Sequence, residues 1–177
     1  MNIKLKFYLA LALLLPGTGV QASRPWMGQV THVSDGDTVW VKPAGNAQAR
    51  KIRILGIDAP ETCQEWGPEA KALLTQWLWR ASVVVRPTRK DSYGRLLATL
   101  YWNQQDVGER LVASGAAWSY QFRRNRGPYE RQETEARRSG RGLFGNTTAI
   151  RPRDFRVRHG PCDHGGADPE RRVPQFR

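Results

Sequence analysis

Apolar and polar residues change their period several times along the chain, and each change marks an element. Gln29 to Val33 and Thr38 to Val41 are short β-branched runs flanking Ser34-Asp35-Gly36-Asp37, a composition that predicts two strands joined by a tight turn. Pro43 to Asn46 supplies a second turn, and Lys51 to Ile57 then predicts a third strand. Alternation puts Ile52 and Ile54 on one face of that strand, and Arg53, Leu55 and Ile57 on the other. Arg53 can therefore reach a site while the two isoleucines fill a core. Gly67-Pro68 opens a helix in which Ala70, Leu73, Leu74, Trp77 and Leu78 recur at i, i+3, i+4, i+7 and i+8, a stripe read as core packing.

Ser82 to Arg86 and Leu96 to Trp102 predict two further strands, with turn chemistry at Asp91-Ser92-Tyr93-Gly94 between them. Val107 to Ser114 predicts a short helix ended by Gly115, and Pro128 to Ser139 a polar helix with few apolar residues to mark an inner face. From Arg151 onward the chain is rich in Arg, Pro and Gly and nearly free of aliphatic residues, which predicts an irregular basic tail over 151–177. Five short strands with a well-marked helix among them predict an α+β, mainly β fold: a small OB-like barrel with helices at its side.

The first 22 residues have the form of a signal peptide. Lys4 and Lys6 precede an uncharged apolar run from Phe7 to Leu15, followed by Pro16, Gly17 and the small-residue site Val20-Gln21-Ala22, with cleavage expected after Ala22. The run is far shorter than the roughly 20 residues that span a bilayer, so the expectation is export to the periplasm or medium without lasting membrane insertion. Residues 23–150 would form the domain, as a monomer. The full chain carries a net charge of +12, and loss of Lys4 and Lys6 leaves 26 basic against 16 acidic residues. Such an excess favours a polyanionic partner, nucleic acid first, because neutralising successive phosphates releases counterions. Charge alone leaves open a binder of anionic envelope surfaces. In an oxidising compartment Cys63 and Cys162 predict a disulfide tying the tail to the core. With His164 the same cysteines offer three metal ligands, without a repeated Cys-x-x-Cys spacing.

Acidic residues cluster at turns and strand ends: Asp35 with Asp37, Asp58 with Glu61, and Asp91. Asp37 and Asp58 are hard oxygen donors suited to Ca²⁺ or Mg²⁺. Asp35-Gly36-Asp37 taken singly reads as a plain turn, and it does not open a helix-loop-helix calcium site, since the twelfth loop position is Asn46 and not Glu. More specific is Arg53-Ile54-Leu55-Gly56-Ile57-Asp58-Ala59-Pro60-Glu61, where an arginine leads a strand ending in two carboxylates across an Ala-Pro step. Phosphoryl chemistry needs these types together: a cation for the phosphate oxygens, a guanidinium to bind them as a fork, and a carboxylate to orient or deprotonate water. Arg95, closing the turn that begins at Asp91, offers a second fork. An ordinary ion pair for Arg53 and a solvated turn for Arg95 are the plainer readings.

The order of Asp35-Gly36-Asp37-Thr38, Arg53 to Glu61, Trp66 with Gly67-Pro68-Glu69-Ala70, and Asp91 to Arg95 resembles the staphylococcal nuclease (thermonuclease) family from about Gln29 to Phe144. The resemblance implies a five-stranded OB-type barrel with about three helices and hydrolysis of DNA, RNA or both with one Ca²⁺ ion. It implies Asp37, Asp58 and the backbone carbonyl of Ala59 as metal ligands, with Asp35 holding metal-bound water. It further implies Glu61 as general base, Arg53 and Arg95 as phosphate-binding arginines, and products ending in 3′-phosphate. The family's lysine before the turn tyrosine is Ser92 here, while Tyr93 stays in register. Trp118, Tyr120 and Phe122 fall where the family sets aromatics against the substrate, and Tyr120 is taken as the base contact. A non-catalytic nucleic-acid-binding barrel is the alternative, but binding alone has no use for two metal-type carboxylates in a basic groove. A structural envelope protein is the third reading, distinguished by EDTA-resistant binding without strand scission.

Overall fold

The computed structural model describes residues 24–121, 125–146 and 148–162. The expected signal segment, Phe122 and His164 lie outside the described residues. The elements run β1 (Trp26–Val33), β2 (Thr38–Pro43), β3 (Arg50–Ile54), β4 (Ile57–Asp58), α1 (Gly67–Leu78), β5 (Ser82–Lys90), β6 (Leu96–Trp102), β7 (Gln105–Asp106), α2 (Val107–Ala113), β8 (Trp118–Ser119), α3 (Glu130–Arg138), a 3-10 turn over Gly142–Gly145, and α4 (Pro152–His159).

Five strands close into a barrel in the order β3-β2-β1-β5-β6, each neighbouring pair antiparallel. Closure comes from a parallel pairing of β3 with β6, Ile52 opposite Leu96 and Ile54 opposite Ala98. No open edge remains between these two strands, and that is how a small barrel avoids presenting unpaired backbone. Alternate residues point inward as expected: Val30, Val39, Val41, Ile52, Ile54, Val83, Val85 and Leu100 are all buried. Ala70, Leu74 and Leu78 of α1 and Leu111 and Val112 of α2 join the same core, so the predicted helical stripe is core packing.

Two expectations need correction and one is explained. The third strand stops at Ile54 instead of reaching Ile57, because Gly56 adopts φ +84° and turns the chain. The turn moves Ile57 into the core, away from the side that Arg53 occupies, and the short β4 pairs instead with β8. The polar helix expected over Pro128 to Ser139 is present as α3, and it docks with few apolar residues because a buried carboxylate anchors it. Glu133 Oε2 accepts Ser119 N–H at 2.9 Å, and its Oε1 accepts Arg137 Nη2 at 2.8 Å and Arg151 Nη2 at 2.9 Å. Such a satisfied buried anion leaves no trace in a hydrophobic pattern.

The segment from Arg151 is not irregular throughout: Pro152–His159 is a fourth helix, with proline in its first turn and Gly160 just after it. Its start is held by Arg151 on Glu133 and by Gln64 Nε2 donating to Ile150 O at 2.7 Å. Beyond its end, Cys162 forms a disulfide with Cys63. The helix is thereby tied to the loop between β4 and α1.

Candidate active site

The turn between β1 and β2 sets the first carboxylate. Gly36 lies so close to Ala59 and Ala70 that any Cβ on it would stand 2.8 and 2.9 Å from theirs, which presses the turn against β4 and α1. Asp35 Oδ1 accepts the Asp37 N–H at 3.0 Å, fixing the turn. Asp37 then leads into β2, whose Thr38 pairs with Arg53 of β3. Asp37 Oδ1 accepts Thr38 Oγ1–H at 3.0 Å, and Oδ2 accepts the Ala59 N–H at 3.1 Å.

Arg53 bridges the two buried carboxylates. Its Nη1 lies 2.9 Å from Asp37 Oδ2 and donates to Ile54 O at 3.1 Å, while Nη2 donates to Asp58 Oδ1 at 3.2 Å. Burial raises the pKa of Asp37, Arg53 opposes the shift, and Asp35 adds to it. Asp58 is pushed from its ordinary value of 3.8 up to about 6, first by burial, with the neighbouring Asp37 and Glu61 adding and Arg53 and Arg156 opposing. One guanidinium therefore under-neutralises the pair, and a further cation would relieve it.

Glu61 follows across Pro60 in a loop locked by reciprocal bonds: Gln64 Oε1 accepts Glu61 N–H at 3.1 Å, and Gln64 N–H donates to Glu61 O at 2.9 Å. The Glu61 carboxylate is paired with Arg156 of α4. The β5–β6 hairpin brings the opposite wall. Asp91 Oδ1 accepts the backbone N–H groups of Tyr93 and Arg95, both at 2.9 Å, and its Oδ2 accepts Arg95 Nε at 2.7 Å. Burial raises the pKa of Asp91, but the hydrogen bonds and charge of Arg95, with the Tyr93 N–H, together outweigh it and hold the carboxyl below its ordinary range. The Arg95 guanidinium lies 5.4 Å from the ring centroid of Tyr93, which is 82% exposed.

These walls enclose one cleft of about 480 Å³, and Asp35, Asp37, Arg53, Asp58, Ala59, Glu61, Tyr93, Arg95 and Tyr120 all line it. Residues far apart in sequence thus meet as expected. Tyr120 is half exposed at the rim, whereas Trp118 is buried with its ring edge-on to Phe144 at 6.0 Å and serves as core. Arg89 and Arg156 also line the cleft and were not singled out from sequence. Arg89 lies in the part of β5 beyond Arg86, where the predicted strand ended, and Arg156 lies in the stretch expected to be irregular, where no periodicity pointed to it.

The donors suit a hard divalent cation: Asp37 and Asp58 are under-neutralised oxygen donors, and Ala59 lies beside them. Among the described residues no three acidic, histidine or cysteine side chains converge as a metal cluster. The protein side chains would therefore supply two carboxylates, with backbone, water or substrate oxygens completing the shell.

Comparison with known proteins identifies the family. Residues 51–146 match the family described as staphylococcal nuclease homologue. An uncharacterized endonuclease of Haemophilus influenzae is 32% identical over 128 residues, spanning 72% of this chain and 71% of its own length. Protein ParB of Escherichia coli is 33% identical over 151 residues, and a micrococcal nuclease of Shigella flexneri 33% over 150, each alignment covering 77% of this chain and 84% of the relative. The chain belongs to the staphylococcal nuclease homologue family, and with that to the nucleases.

Proposed function

We propose that the chain is an exported, calcium-dependent endonuclease that hydrolyses DNA, RNA or both to products with 3′-phosphate ends. The observation that carries the reading is the convergence of two under-neutralised carboxylates, a third carboxylate paired with Arg156, and the arginine forks of Arg53 and Arg95 in one cleft. A pure binding site would repel phosphate with those acids unless a cation intervened.

Asp37, Asp58 and the Ala59 carbonyl would hold one Ca²⁺ ion, with Asp35 orienting its water. Bound there, calcium would supply positive charge to the phosphate oxygens. Arg53 and Arg95 grip the phosphodiester from opposite walls and stabilise the charge that grows on its oxygens. Glu61 accepts a proton from water as the water oxygen bonds to phosphorus. The bond from phosphorus to the 5′ oxygen breaks in line, and that oxygen takes a proton from solvent. Tyr93 and Tyr120 offer ring faces to sugar or base at the rim. Among the described residues no helix is long and apolar enough to cross a membrane. The signal-like first 22 residues support release of the mature protein to periplasm or medium, where it would act as a monomer.

The test is cleavage of single-stranded DNA by the chain from residue 23 onward, with Ca²⁺ and with EDTA, beside Glu61→Gln and Arg95→Ala. Calcium-dependent cutting that both substitutions abolish is the expected result. Intact DNA that still binds would move the assignment to a non-catalytic barrel.

A further inference from the structure

We propose that Arg156 is a third phosphate-binding arginine of the cleft, delivered by a helix that the Cys63–Cys162 disulfide ties to the loop carrying Glu61. The proposal rests on the nuclease reading and adds to it a residue from outside the span that matches the family, residues 51–146.

The geometry of the three guanidiniums carries it. Arg53 rests on Asp37 and Asp58, Arg95 on Asp91, and Arg156 on Glu61, and all three line one cleft. Carboxylate and phosphodiester are alternative partners for the same planar fork, so each pair describes an arginine held in place until a phosphate takes the carboxylate's position. Arg156 lines the same cleft as Asp37 and Asp58. Burial lowers its pKa, but the Glu61 hydrogen bond and the charges of Asp58, Glu61 and Asp37 outweigh it and raise the pKa.

The attachment of α4 explains why an arginine so far along the chain sits there. Cys63 is two residues from Glu61, and Cys162 is six from Arg156, so the disulfide closes a short path between the two partners. At the other end of α4, Arg151 is fixed on the buried Glu133 and Ile150 O on Gln64. Gln64 is also the residue that holds the Glu61 backbone. One loop therefore positions both the proposed base and the helix that covers it. A phosphate binding to Arg156 releases Glu61 Oε1, which is then open to a proton from water, so substrate arrival and availability of the base become linked.

The test compares the wild-type protein, Arg156→Ala, Arg156→Lys, the pair Cys63→Ser with Cys162→Ser, and that pair combined with Arg156→Ala. Two quantities are read on one fluorescent single-stranded oligodeoxynucleotide: kcat/KM with Ca²⁺, and affinity in EDTA over a range of salt. Arg156→Ala should lower kcat/KM by about tenfold or more, as loss of a charge-stabilising donor does. It should also reduce the slope of log affinity against log salt by about 0.7, the value for one phosphate contact on a single strand. Arg156→Lys should restore the slope but only part of the rate, since a point charge lacks the fork. The cysteine pair should reproduce the Arg156→Ala defect, and combining them should add little. Melting temperatures identify any variant that fails to fold, and Arg156→Lys keeps the disulfide and the charge.

A rate loss with an unchanged salt slope would make Arg156 a prop for Glu61 and overturn the phosphate contact. Unchanged rate and slope would reduce the pair to surface decoration, and full additivity with the cysteine pair would overturn the role of the tether. Wild-type protein that never cuts with Ca²⁺ would instead sink the nuclease reading, while the salt series in EDTA would still decide whether Arg156 touches phosphate.

Discussion

Arg53 and Arg95 face the same cleft from two different kinds of wall. Arg53 stands on a central barrel strand, 14% exposed, with its guanidinium shared between two buried carboxylates. Arg95 stands at the base of a hairpin tip, held by one carboxylate four residues away and stacked near an exposed tyrosine. The acids differ in the same way: burial raises Asp37 and Asp58, whereas hydrogen bonds lower Asp91. The barrel wall stores electrostatic strain that a cation can relieve. The hairpin wall is satisfied by its own hydrogen bonds and ion pair.

This contrast predicts equal losses in rate with unequal losses in stability. Arg53→Ala and Arg95→Ala should each lower kcat by about 10² to 10³, the usual effect of removing one preorganised charge-stabilising donor. Arg53→Ala should also lower Tm by roughly 5 to 10 °C in scanning calorimetry, since it strips a buried ion pair of one partner. Arg95→Ala should move Tm by no more than about 2 °C, as expected for a partly buried pair confined to one hairpin and joining residues four apart. A large Tm loss in Arg95→Ala would erase the distinction between the walls.

A second prediction uses the unrelieved charge. At neutral pH, Ca²⁺ at about 100 times its dissociation constant should stabilise the protein by about 2.7 kcal/mol, read as a rise in Tm. Asp37→Asn should raise Tm in EDTA, because it removes one of two buried like charges, and should abolish most of the calcium shift. A calcium shift that survives Asp37→Asn would place the ion elsewhere.

The two walls should also respond to pH with opposite sign. Folded Asp58 keeps its proton up to about pH 6, while the unfolded chain releases it near 3.8, so the folded state holds more protons between those values. Metal-free stability should therefore fall as pH rises from 4 to 6, measured by urea denaturation, and Asp37 acts in the same direction. Asp91 has a lowered pKa, so its contribution is present above the unfolded value and lost as pH falls below about 4. The smallest expected effect is that of Asp91→Ala: a few-fold rise in KM with kcat nearly kept, from a hairpin that no longer presents Arg95 in one orientation. Loss of kcat there would show that the hairpin is as preorganised as the barrel wall.

Much of the barrel wall was legible along the chain because its determinants are local. Ile52, Arg53 and Ile54 alternate on one strand, and the core and cleft sides follow from that parity alone. Asp58, Ala59 and Glu61 follow within a few residues, and the disulfide was legible from the chain's two cysteines once an oxidising compartment was expected. The exit from that strand was not legible, since Gly56 could continue a strand or turn it, and only its packing against Pro128 and Tyr129 settled the positive φ.

By itself, then, the sequence determined the strands and helices with clear periodicity, the basic charge, and the acids and arginines at turns and strand ends, all encoded within windows of a few residues. Only the tertiary structure decided the closure of β3 on β6, the burial of Glu133 on the inner face of α3, and the helix that carries Arg156 to Glu61. Each of these depends on partners tens of residues away. A buried ion pair or a tethered helix draws its stability from contacts that no local pattern of apolar residues records.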